Sequence, residues 1–148
     1  MRIRSAFFAT MLASAALAVP SIGNGAVGFM QYFAVLDAGN ELDGGHAGAT
    51  GTAMVMLAPR TGSLCFAIAV RDLDKPTAAH IHGGAAGVNG GILVTLVAPT
   101  TGNPGASSGC LTGVDATIIN SIKAAPHKFY INVHSTSNSG GALRGQLF

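Results

Sequence analysis

Between Leu64 and Val70 the chain alternates without a break. Leu64, Phe66, Ile68 and Val70 are large and apolar, and Cys65, Ala67 and Ala69 between them are small. A period of two belongs to an extended strand with one face against a core. The same period returns near the end of the chain, where Phe129, Ile131 and Val133 alternate with Tyr130, Asn132 and His134. Half-buried strands of this kind need antiparallel partners. The expectation is therefore a mostly β domain, an antiparallel Greek-key-like β-sandwich or barrel.

The rest of the chain fits that frame. Residues 29–36 read as a first strand, with Tyr32 and Phe33 as β-prone bulk. A loop over 39–51 follows, holding five glycines and His46, which is expected to be exposed. A second strand over 52–57 turns through Pro59-Arg60-Thr61-Gly62 into the alternating one. A polar crossing over 72–77 leads to a strand over 78–82, and 92–97 is apolar enough for the middle of a sheet. Residues 100–109 are low in bulk and rich in Gly, Pro and Ser, and read as a surface loop. Asp115 is placed to cap one short helix over 116–124, with Ile118, Ile119 and Ile122 on one stripe and Pro126 as its stop. His127, after that proline, is expected in solvent. Asn138-Ser139-Gly140-Gly141 turns into a last strand with Leu143, Gly145 and Leu147 on one face and Ala142, Arg144 and Gln146 on the other. No long internal repeat divides the chain.

The chemistry concentrates in the histidines. If 78–82 is extended, His80 and His82 project from one side of a strand while Ala79 and Ile81 face the core. His134 lies opposite its own strand's apolar face. If the two strands are neighbours, three imidazoles converge outside the core, and solvent can supply a fourth ligand. Imidazole suits copper and zinc. Two surface histidines on a sheet are the plainer reading of the same pattern. No Ser-His-Asp grouping or carboxylate pair can be placed, and the glycine run after His82 lacks the Lys-Ser/Thr ending of a phosphate loop.

The stretch AHIHGGAAGVNGG, followed by FYINVHSTSNSGGALRGQL, resembles the CHRD domain, the repeat named after chordin. YFAVLDAGNEL, GATGTAMVML and TGSLCFAIAV fit the same pattern, so the resemblance covers about residues 32–148. A departure is Glu41-Leu42-Asp43-Gly44-Gly45-His46, where members often carry prolines. The resemblance implies a secreted, mostly β domain and little about chemistry. The histidine pattern is also similar to copper-zinc superoxide dismutases. That similarity implies His80, His82 and His134 as copper ligands and Arg144, placed by the hairpin beside His134, as an anion-guiding arginine. The bridging histidine and the zinc loop of those enzymes are missing. Three function classes follow: a copper-binding protein with redox chemistry, a metal-free binding or structural module, and a zinc hydratase or hydrolase with only His46 or His127 as nearby base.

Residues 1–18 read as an export signal: Arg2 and Arg4, an apolar run over 6–17, and the small-x-small site Ala16-Leu17-Ala18. Cleavage after Ala26 is the alternative. The run is short of the ~20 apolar residues a membrane span needs. Residues 19–28 then form a spacer, and 29–148 one β domain. With Arg2 and Arg4 removed, six Lys and Arg balance six Asp and Glu. No basic patch remains, so nucleic acid is not an expected partner, and no membrane is expected after cleavage. A metal ion or small anion is the partner that the histidines and Arg144 suit. The expected location is periplasmic or secreted. There Cys65 and Cys110 pair by default, closing a loop around the His80–His82 strand worth roughly 3–4 kcal/mol by chain entropy.

Overall fold

The computed structural model describes residues 28–148. The export signal expected over 1–18 and all but the last residue of the spacer lie outside the described residues.

Eight strands form one antiparallel sheet: β1 (Met30–Asp37), β2 (Thr50–Ala58), β3 (Ser63–Arg71), β4 (Pro76–Gly83), β5 (Ile92–Leu96), β6 (Gly105–Leu111), β7 (Phe129–Ser135) and β8 (Leu143–Gln146). Their spatial order is β5-β4-β7-β8-β1-β2-β3-β6. The sheet curls until its two edges meet, where the Ser107 hydroxyl donates to the Val97 carbonyl at 2.7 Å. The result is a nearly closed barrel. One helix, α1 (Ala116–Ala124), starts on Asp115, whose carboxylate accepts from the Thr117 amide at 2.6 Å. Among the described residues, no helix is long and apolar enough to cross a membrane.

The period of two decides what is inside. Leu64, Phe66, Ile68 and Val70 of β3 meet Val55 and Leu57 of β2, Ile81 of β4, and Ile131 and Val133 of β7, while α1 adds Ile119 and Ile122. Each large side chain buried this way stabilises the fold by about 1.5–3 kcal/mol.

Residues 92–97, apolar enough for the middle of a sheet, instead supply the edge strand β5, with Ile92 and Val97 exposed. Two further expectations need correction. Residues 105–111, most of them expected in a surface loop, form β6, paired with β3 from Leu64↔Leu111 to Val70↔Gly105. Their low bulk is a packing match. A Cβ on Gly109 would stand 3.1 Å from the Phe66 ring, so small residues on β6 make room for the large ones on β3. The second of these corrections concerns the polar faces of β7 and β8, expected to lie outside the core. Tyr130, Asn132 and Arg144 are 3%, 4% and 1% exposed. Two glycine-rich loops, residues 41–49 and 84–91, are fastened across these faces: the His46 amide to the Ala142 carbonyl, and the Gly84 amide to that of Lys128.

The Cys65 and Cys110 sulfurs are bonded, on directly opposed positions of β3 and β6.

Candidate metal centre

Strands β4 and β7 are neighbours, with Ala78↔His134, His80↔Asn132 and His82↔Tyr130 in register. On the outward face this sets His82, His80 and His134 along a diagonal. One nitrogen from each of the three lies within 4.8 Å of the others. A first-row metal with nitrogen ligands at ~2.0 Å needs them at most ~4 Å apart, so the trio is within a small side-chain movement of a metal site. Among the described residues, no other group of three metal-ligating side chains is so close.

Backbone carbonyls set which nitrogen each ring can offer. His82 Nδ1 donates to the Gly90 carbonyl at 2.9 Å, and His134 Nδ1 donates to the Ser139 carbonyl at 2.8 Å. A carbonyl only accepts, so both rings carry their proton on Nδ1 and keep a lone pair on Nε2. The His134 lone pair receives the His80 Nδ1 proton at 3.1 Å. The His82 lone pair receives nothing: its Nε2 is a buried nitrogen without a hydrogen-bond partner, on a residue 8% exposed. In this arrangement the lone pairs therefore lie on Nε2 of all three rings, and an ion taken by His134 would displace the His80 proton that its Nε2 accepts.

Burial, then the neighbouring imidazoles, holds His80 below the ordinary histidine value. Burial does the same at His82, helped by His134 and the Arg144 charge and opposed by the Gly90 hydrogen bond. Neutral imidazole, the ligating form, is thus favoured in the fold.

The surroundings are polar and tied down. Tyr130 stacks on His82 with ring centres 4.8 Å apart and planes 7° from parallel. The Arg144 guanidinium lies 3.5 Å over the Tyr130 ring. Asn132 donates to the Glu41 carboxylate. Desolvation pushes the Glu41 carboxyl above its usual value, against the Asn132 bond and the Arg144 charge. The Glu41 carboxylate lies over Gly141, where a Cβ would stand 2.5 Å from it and push it aside.

Three expected residues are elsewhere. Arg144 pairs with Asn132 rather than lying beside His134. All three of its side-chain nitrogens donate, Nε to Gln146, Nη1 to Asn89 and Nη2 to the carbonyls of Ala85 and Val88. So placed, it is not open to receive an anion, and the anion-guiding role does not fit. His46 is half-buried against Asn138 and Asp74, apart from the trio. His127 is exposed, as expected. Glu41, Asn89 and Gln146 did not stand out in the sequence. The shared parity of Tyr130, Asn132 and His134 was the one signal for this cluster.

No curated protein and no solved structure matches the chain. The profile of the CHRD domain matches residues 32–147, which takes in every strand but the first two residues of β1, all three histidines and both loops that cover them. The chain belongs to the CHRD domain family.

Proposed function

We propose that this CHRD domain, exported by cleavage of residues 1–18, holds a copper ion through His80, His82 and His134. The observation that supports it most is the His82 ring, with one nitrogen fixed by a carbonyl and the other buried without a partner. An unsatisfied buried polar atom costs about 1–3 kcal/mol, and a metal ion beside two more imidazoles would satisfy it.

Imidazole donors serve both copper and zinc, and at equal availability the divalent affinity order favours copper. A three-imidazole copper ion with an open position supplies one-electron chemistry of the superoxide dismutase kind. The protein's own part is to present three neutral rings, fix their tautomers through Gly90 and Ser139, and keep Tyr130 against one of them. The disulfide suits the oxidising compartment that export implies.

Metal analysis of untagged protein purified from its native compartment tests this reading, with copper expected at one ion per chain. Zinc in its place would support the hydratase or hydrolase reading. In calorimetric titration, His82→Ala should lose most copper affinity and His127→Ala none. Equal affinity in wild type and both variants would favour a metal-free module.

A further inference from the structure

The glycine-rich loop over 84–91 carries the carbonyl that fixes His82, yet most of its residues are exposed and it has no apolar anchor among the core residues. Something else must hold it in place. Its internal geometry is tight: a Cβ on Gly90 would lie 1.4 Å from the Gly83 carbonyl oxygen, so the backbone of 90 passes directly over the end of β4. The Gly90 amide donates to the Tyr130 hydroxyl at 3.2 Å, while its carbonyl accepts from His82.

Arg144 grips the remainder of the loop from below. Nη2 donates to the Ala85 carbonyl at 2.9 Å and the Val88 carbonyl at 2.8 Å, and Nη1 to the Asn89 side chain at 3.1 Å. Gln146, two residues on and itself accepting from Arg144, donates to the Gly84 carbonyl at 2.9 Å. Four loop residues are thus held by two side chains of β8. Arg144 and His82 also both pack on the Tyr130 ring.

We propose that Arg144 is a positioning residue for the three-histidine site. By gripping the loop through its carbonyls it keeps the Gly90 carbonyl on His82 Nδ1, and so keeps His82 Nε2 unprotonated and free to ligate. A neutral imidazole without that carbonyl exchanges its proton between both nitrogens, and the ring then presents an N–H to the metal position part of the time. A planar, forked guanidinium can reach three acceptors on a loop at once, and a lysine ammonium on a flexible stem cannot hold that geometry. The purpose of the device rests on the metal-binding reading; its operation does not, because the tautomer is set before any ion arrives.

The test is nitrogen NMR of the histidine rings in the metal-free full domain at a pH where they are neutral, on wild type, Arg144→Met, Arg144→Lys and Asn89→Ala. Wild-type His82 should be protonated on Nδ1 alone. Arg144→Met should give a mixture of both tautomers at His82, with faster amide exchange over 85–91. His134, tied to Ser139 away from the loop, should keep a single tautomer. Arg144→Lys should restore the charge without restoring the tautomer. Asn89→Ala removes one grip from an exposed side, so it serves even if Arg144→Met fails to fold, and it should shift the same signal part of the way. Copper affinity should drop roughly 10–100-fold in Arg144→Met, the usual range for losing support behind a ligand. A single Nδ1 tautomer at His82 in every folded variant would overturn the proposal. Wild type that shows the tautomer shift on substitution but binds no copper would overturn the metal-binding reading and leave Arg144's role standing.

Discussion

One hydrogen bond at His82 decides what the rest of its ring can do, and that bond depends on there being no side chain at position 90. Gly90→Ala would drive a methyl group into the Gly83 carbonyl. The loop should fail to close, with a loss of about 2 kcal/mol or more by urea denaturation and a parallel loss of copper affinity. The three histidines were legible because parity is legible: two residues apart on one strand, and opposite the apolar face on the other. Arg144 was not. Its loop partners include the Ala85 and Val88 carbonyls, which every residue type possesses, so no sequence pattern marks them. The histidine environment also fixes a pH response. His80 and His82 sit below the ordinary 6.5 in the folded, metal-free protein. The unfolded chain therefore takes up protons more readily than the folded one. Stability from this source is whole above pH 6.5 and declines as pH falls below it. Urea midpoints measured from pH 7.5 downward should show that decline, and a His80→Gln, His82→Gln double variant should show less of it.

At the level of strands, β6 shows why composition misleads. Gly105, Ala106, Ser107, Ser108 and Gly109 carry the signature of a loop, but beside the bulky residues of β3 a run of small ones is what a strand must offer. The information lay in the partner's sequence, and a strand read alone cannot report its partner. Gly109→Leu should accordingly destabilise by about 1–3 kcal/mol through overpacking against Phe66, read as a lower thermal midpoint. The helix, by contrast, was legible to its last residue. Its cap is local: Asp115 reaches the Thr117 amide two residues on, and Asp115→Ala should cost about 1 kcal/mol. Cys65 and Cys110 tie β3 to β6 on opposed positions 45 residues apart. Reduction should lower the unfolding midpoint, with chain entropy setting a scale of roughly 3–4 kcal/mol. Labelling of unreduced, denatured protein should find no free thiol, and two labelled cysteines would refute the bridge.

For the whole molecule, the chain order of the strands and their order in the sheet disagree, and that disagreement has a bearing on when the site can exist. The mass of exported protein should begin at Val19, and retention of residues 1–18 would contradict the export reading. A chain that crosses a membrane unfolded reaches the far side in pieces. In a chain exported as proposed, β4, with His80 and His82, would emerge early, and its neighbour β7, with His134, only after β5, β6 and α1. Pairings across such separations form late, since the intervening loop must close first. Until they do, the Gly90 carbonyl has no Tyr130 beneath it and no Arg144 to hold it, and a passing ion finds two histidines on an unanchored segment. If the chain is exported as proposed, strand order acts as a timer: the three histidines cannot come together until β7 has arrived, nor their covering loop be held until β8 has followed.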